Sequence, residues 1–196
     1  ALVVDPCVEA SALQLLTHRG VQHLTVILTH EHYDHISGVN WLRQHLSCRV
    51  IASERGAAGM ANPKLNASVY FEALFALASE STILRIKELH IQPYICKADE
   101  VFRKETRFIW QGHSIEARET PGHSVGSICI AVDGKYVFAG DSLIKGRPTI
   151  TRLPGGSRDE FLNVTLPFLL SLPRSSIILP GHGEPGEISE FFPIRH

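Results

Sequence analysis

No apolar run in this chain approaches the roughly 20 residues that a membrane-spanning helix requires. Neither charge sign dominates. Lys and Arg number 19 against 20 Asp and Glu, for a formal net charge of −1. A broad basic field to hold nucleic acid or an anionic membrane is therefore lacking, and a small-molecule partner is expected instead. Cysteine is sparse. Cys7, Cys48, Cys96 and Cys129 include no C-x-x-C pair and are too dispersed for a secreted disulfide framework. Reduced thiols and a cytoplasmic location are the expectation. The sequence opens "ALVVDP", without methionine, a basic leader or an apolar leader segment. Because that opening reads as the inside of a buried strand, further residues are expected before Ala1, any targeting segment among them.

Histidine is what the chain has in excess, with 11 in 196 residues. The length suits one domain, taken as residues 1–196. "ALVV" reads as a short core strand, ended by the turn Asp5-Pro6. Val8 to His18 has helical apolar spacing with a stop at Gly20. His23 to Leu28 reads as a strand, Ile36 to Ser47 as a helix and Arg49 to Ala52 as a strand. Such alternation implies parallel βαβ units. Ser68 to Glu80 is expected to be helical, with a lid or rim in the region up to Pro93. From Arg107 the pattern changes to short strands divided by turn signals, notably the hairpin pair Asp133-Gly134. Gly155 to Leu172 reads as a helix, with Ser157 as N-cap and Glu160 completing a capping box, and with a kink or break at Pro167. Ser176 to Leu179 is the last strand.

The stretch "THEHYDH", Thr29 to His35, lies at the end of the second strand. His30 and His32 are two apart, so in extended backbone their imidazoles share a side and can grip one cation. Asp34 and His35 follow where the chain turns, within reach of a second position. Imidazole with carboxylate suits zinc, iron or manganese. A single histidine at a strand end is ordinarily a surface residue. Four ligand-type residues within six positions demand another explanation. Three further loops repeat the chemistry: His123 in "TPGHSVG", Asp141 in "FAGDS" and His182 in "LPGHG", each beside glycine. The seven side chains are enough for two metals, with Asp141 as the bridge because a carboxylate has two oxygens. Two cations about 3.5–4 Å apart lower the pKa of a water and clamp a reacting oxygen.

His30-x-His32-x-Asp34-His35, His123 in "TPGHS", Asp141 in "AGDS" and His182 in "PGHG", in that order, resemble the metallo-β-lactamase superfamily over essentially the whole chain. The resemblance implies an α/β fold: an αββα sandwich with metals at one edge between two mixed sheets, and further strands before Ala1. By this likeness His30, His32 and His123 would bind one metal and Asp34, His35 and His182 the other. Asp141 would bridge them, and Asp34 would act in catalysis by orienting a metal-bridging hydroxide. The implied cofactors are two divalent ions, zinc foremost, with iron or manganese as alternatives. Thr29, Ser124 and Ser142 are candidates for the hydrogen bonds that metal ligands need behind them.

Within the superfamily, "TPGHSVGSICI" and "FAGDSLI" resemble the glyoxalase II group, which hydrolyses thioesters such as S-lactoylglutathione. "NPKLNAS" resembles its compact bacterial members. Only residues 183–196 follow His182, so the helical domain that ends the longer glyoxalase II enzymes is expected to be absent. Lys145 and Arg147 are candidates to pair a substrate carboxylate. Other branches remain as alternatives. A persulfide dioxygenase would use one iron on His30 or His32, His123 and Asp141. A lactonase would set Tyr33 or Tyr94 near the substrate carbonyl, and a β-lactamase-like hydrolase would share the metal loops. A metal-binding domain without catalysis fits less well, because structural sites are closed and often thiolate-rich.

Overall fold

A computed structural model describes residues 1–192. The first half alternates as its apolar pattern predicts. It runs β1 (Leu2–Val4), α1 (Ala10–His18), β2 (His23–Ile27), α2 (Tyr33–Ile36), α3 (Val39–Arg43), β3 (Ser47–Ser53) and α4 (Glu54–Met60). With β4 (Glu100–Phe102) these strands form a sheet in the order β1-β2-β3-β4. Of the two sheets expected to be mixed, this one is parallel throughout.

The second sheet is mixed. It is built from β5 (Glu105–Trp110), β6 (His113–Glu119), β7 (Ile128–Val132), β8 (Tyr136–Gly140), β9 (Ile177–Pro180) and β10 (Gly186–Glu187), in the order β10-β9-β8-β7-β6-β5. Only β8 and β9 pair in parallel. The Asp133-Gly134 hairpin forms as expected, with φ of +53° and +63° at the two residues.

Period-2 alternation sets the layers. In β2, Leu24 and Val26 face one way and Ile27 the other; in β3, Val50 and Ala52 oppose Ile51. The first members pack with Val39 and Leu42 of α3 and Met60 of α4. Ile27 and Ile51 instead meet Ile115, Ala117, Ile128 and Ile130 of the second sheet. On that sheet's outer face Cys129, Val137, Ala139 and Ile178 lie against later helices through Leu169, Ile188 and Phe191. Three apolar interfaces thus separate four layers: helices, sheet, sheet, helices.

Several helices differ from expectation. The run Ile36 to Ser47 is broken, because Gly38 gives its N–H to Pro6 O (2.9 Å) in place of a helical carbonyl. Ser68 to Glu80 is not one helix. It divides into a 3₁₀ turn (Ser68–Tyr70) and α5 (Phe71–Leu74). The chain then restarts as α6 (Glu80–Glu88), where the Ser79 hydroxyl accepts from Thr82 N. No residue of α6 is buried, so its apolar periodicity marks no core face. The long helix near the end comprises α7 (Arg158–Glu160), a π turn (Phe161–Thr165) and α8 (Leu166–Ser171), before α9 (Ile188–Phe191). Ser157 caps it, accepting from Glu160 N (3.2 Å). The capping box stays open because Glu160 instead grips Arg55 of α4 through two bonds of 2.8 and 3.2 Å. Pro167 does not break the helix; the wide π turn before it accommodates the missing N–H. Among the described residues no helix is long and apolar enough to cross a membrane.

Candidate metal centre

The parallel pairs β1/β2 and β8/β9 send their C-terminal ends to one edge of the sandwich. Residues 5, 29–35, 141 and 181–182 leave from those ends. The turn between β6 and β7, residues 120–127, reaches the same edge because β7 runs antiparallel to β8. Ile128 N donates to Thr29 O (2.7 Å), which joins the two sheets there.

All seven predicted ligands are brought together. His30, His32 and His123 place one ring nitrogen each within 4.8 Å of one another, and Asp34, His35 and His182 form a second such triad. Asp141 lies between them. Its Oδ1 is 3.5 Å from His35 Nε2, and its Oδ2 is 3.8 Å from His123 Nε2 and 3.6 Å from His182 Nε2. Gly181 makes room for this packing. A Cβ there would stand 2.3 Å from Asp141 Oδ1 and 2.6 Å from His35 Cε1.

Groups behind the rings aim them. Asp5 accepts from Thr29 N (2.7 Å), Thr29 Oγ1 (2.5 Å) and His35 Nδ1 (2.8 Å). Because the Thr29 hydroxyl donates to Asp5, His30 Nδ1 is the donor to Thr29 Oγ1 (3.1 Å) and its Nε2 carries the lone pair. His123 Nδ1 donates to Ile150 O (2.8 Å), leaving its Nε2 as a ligand atom. His32 Nδ1 and His123 Nε2 face each other at 2.9 Å.

Electrostatics divide the site in two. Burial, aided by the neighbouring imidazoles, holds His123 down at about 3 and His30 well below its ordinary value; burial likewise lowers His32 to about 4. These three rings are neutral at pH 7, as ligands must be. The other half is anionic. Burial opposes charge on His35, but Asp5, Asp34 and Asp141 together outweigh it and raise the ring to about 9. Burial also opposes charge on Asp34, yet the His182 bond (3.0 Å) and the His35 charge hold it at about 2. Burial raises Asp141 against the pull of His35 and His182, and the Asp34 bond raises His182.

The residues fit metal ions. His30 Nε2, His35 Nε2 and Asp141 Oδ1 are buried with no hydrogen-bond partner among the described residues. Each such orphan costs about 1–3 kcal/mol. Divalent cations held by the two triads, with Asp141 between them, would satisfy all three atoms and take the place of the proton on His35.

Other predicted residues lie outside this cluster. Lys145 Nζ is 2.5 Å from Glu190 Oε2 on the surface. Arg147 is exposed and, with Arg158, Phe161 and Leu162, lines a cleft of about 510 Å³. Tyr94 is spent on backbone: its hydroxyl donates to Ile36 O and accepts from Asn40 N, both at 3.1 Å. Tyr33 packs on Phe71 and Tyr94. The Ser124 hydroxyl goes to Glu31, whereas Ser142 holds the following loop through Thr149 Oγ1, which donates to its carbonyl (2.9 Å). Two carboxylates escaped the sequence reading. Asp5 reads from sequence as a turn residue, and a positive φ of +49° is its backbone peculiarity. Glu31 sits within the histidine motif without a ligand-type position.

Known proteins agree with this geometry. The family model described as "Metallo-beta-lactamase superfamily" matches residues 1–182. The probable metallo-hydrolase YqgX of Bacillus subtilis (strain 168) is 31% identical over 186 residues, covering 93% of this chain and 79% of that protein. The hydroxyacylglutathione hydrolase GloC of Haemophilus influenzae is 26% identical over 185 residues, covering 93% of this chain and 80% of that protein. The crystal structure of BLEG-1 B3 metallo-beta-lactamase superposes with a TM-score of 0.73 at 27% identity, covering 96% of this chain and 84% of that one. With seven ligand-type side chains at one edge of a four-layer sandwich and a family model spanning nearly its whole length, the chain belongs to the metallo-β-lactamase superfamily.

Proposed function

We propose that the chain is a binuclear metallo-hydrolase that cleaves a thioester or related ester, in the manner of hydroxyacylglutathione hydrolase. Asp141 carries this reading, because its two oxygens face His35 on one side and His123 and His182 on the other. His30, His32 and His123 would hold one ion, Asp34, His35 and His182 a second, and Asp141 both. Such ions, zinc foremost and iron or manganese otherwise, supply an acidified water and Lewis acidity towards a carbonyl.

The chain's own groups do the rest. Asp34, kept ionised by the His182 bond and the His35 charge, orients the attacking water as a hydrogen-bond acceptor. Cys96 and Cys129 are pushed by burial to about 12 and offer no competing thiolate. Arg147, with no carboxylate within ion-pair distance among the described residues, is the cation assigned to a substrate carboxylate. Lys145 would first have to leave Glu190. All four cysteines are free, in keeping with a cytoplasmic setting.

Metal analysis followed by a panel of thioesters, lactones, β-lactams and persulfides tests the proposal. Two equivalents of divalent metal are expected, with thioester turnover that Asp34→Ala and His123→Ala abolish while the circular dichroism spectrum stays native. One equivalent of iron with oxygen consumption on a persulfide would reassign the chain as a dioxygenase. Turnover of lactones or β-lactams alone would move it to another hydrolase branch.

A further inference from the structure

Side chains alternate at the end of β2, so Glu31, between His30 and His32, points away from the ligand atoms. It is nonetheless fully buried, at 0% exposure. A buried carboxylate is costly unless hydrogen-bonded, and an apolar residue would fill such a place at lower cost. Its partners lie in the loop that carries the third ligand. Glu31 Oε2 accepts from Ser124 Oγ (2.8 Å) and Gly126 N (3.2 Å), and Ser124 directly follows His123. Ser127 Oγ accepts from Ser124 N (3.1 Å) and meets Ser124 Oγ (2.9 Å), which tightens the same turn.

The far side of this clasp belongs to the β3–α4 junction. Ser53 Oγ donates to Gly126 O (2.8 Å) and accepts from Gly56 N (3.0 Å). The walls are glycine. A Cβ on Gly59 would stand 2.5 Å from Glu31 Cγ, and one on Gly126 would stand 2.5 Å from Glu31 Oε2 and 2.2 Å from Gly56 Cα. Glu31 Oε2 is thus held in a glycine-walled cradle, 93 positions from the hydroxyl it binds, while Oε1 is buried with no partner among the described residues.

We propose that Glu31 is a positioning residue for the His30, His32 and His123 triad: it locks the His123 loop to the strand end that bears the other two ligands. The inference rests on the metal-centre reading and deepens it. Glu31 itself touches no ion. It sets the separation of three rings, and metal affinity depends on that separation.

Cobalt(II) binding to the metal-stripped protein tests this, read by chelator competition and by the visible ligand-field spectrum. Glu31→Ala is expected to weaken the tightest site roughly tenfold or more, the scale found for groups that orient ligands from behind, and to change the spectrum. Glu31→Gln keeps an oxygen for Ser124 and Gly126 and is expected to restore both. Ser124→Ala, a smaller lesion in case Glu31→Ala does not fold, is expected to shift affinity the same way by less. A purely structural role would lower the melting temperature and leave affinity and spectrum unchanged. If Glu31→Ala and Ser124→Ala bind cobalt as wild type does, the inference falls alone. If wild type binds none, the metal-centre reading falls with it.

Discussion

Replacing Asp5 by asparagine probes how firmly this centre is held by a group outside the predicted ligand set. Asp5 receives three hydrogen bonds, from Thr29 N, Thr29 Oγ1 and His35 Nδ1, and its side chain is 13% exposed. Asparagine preserves the shape and one acceptor oxygen. Its amide nitrogen, however, must replace either Oδ1, facing Thr29 N, or Oδ2, facing both Thr29 Oγ1 and His35 Nδ1, so a donor meets a donor and in both cases the bond to His35 loses its charge. Hydrogen bonds to a charged group contribute about 1.5–3 kcal/mol each. Losing the charge-assisted bond to His35 and weakening that to Thr29 should lower the stability of the metal-free protein by about 2–4 kcal/mol. Metal affinity should fall roughly 10–100-fold, because His35 loses the partner that orients it. Urea unfolding reads the first quantity, as a lower midpoint with unchanged slope. Chelator competition reads the second. Nuclear magnetic resonance titration of the metal-free proteins should show His35 losing its proton at a lower pH in the variant than in the wild type, since Asp5 leads the attractive influences on that ring. Wild-type metal affinity together with an unchanged His35 titration would refute the role given to Asp5.

Gly181→Ala should fold, yet bind metal at least tenfold more weakly, since its Cβ would intrude on Asp141 Oδ1 and His35 Cε1; chelator competition that finds no change would show that the loop yields freely. The metal-free protein should lose stability as pH falls from 6.5 towards 4. Over that window the unfolded chain takes up protons that His30, His32 and His123 refuse in the fold. Glu31, raised by burial to about 7, and Asp141, also raised by burial, act in the opposite sense because the folded form protonates first. The three imidazoles outweigh these opposing groups, so the unfolding midpoint in urea should fall as the pH is lowered through this window. A flat or inverted slope between pH 6.5 and 4.5 would mean that the buried imidazoles are not held neutral.

Much of the centre was legible because its signals are local. The i, i+2 spacing of His30 and His32, the strand preceding each ligand and the glycine beside His123, Asp141 and His182 all lie within a few residues of the group they describe. Alternation in β2, β3 and β7 likewise marks both faces of each strand without reference to a partner. Where the reading failed, a distant partner outweighed a local preference. The pattern from Ile36 to Ser47 reads as one helix, but Gly38 bonds to Pro6. Ser157 and Glu160 have capping-box spacing, but Arg55, 105 positions away, takes the carboxylate. Tyr94 resembles a free active-site phenol until its hydroxyl is found bonded to Ile36 and Asn40.

Local pattern by itself determined which side chains could bind metal, that each sits where a strand ends, and that strands and helices alternate. Tertiary structure decided that these strand ends share one edge, that Asp141 stands between two triads, and that Asp5 and Glu31 hold the ligands from behind. Those last two carboxylates act across 30 and 93 positions of chain. A residue's neighbours in sequence record its backbone preference; its hydrogen-bond partners exist only once the sheets have packed.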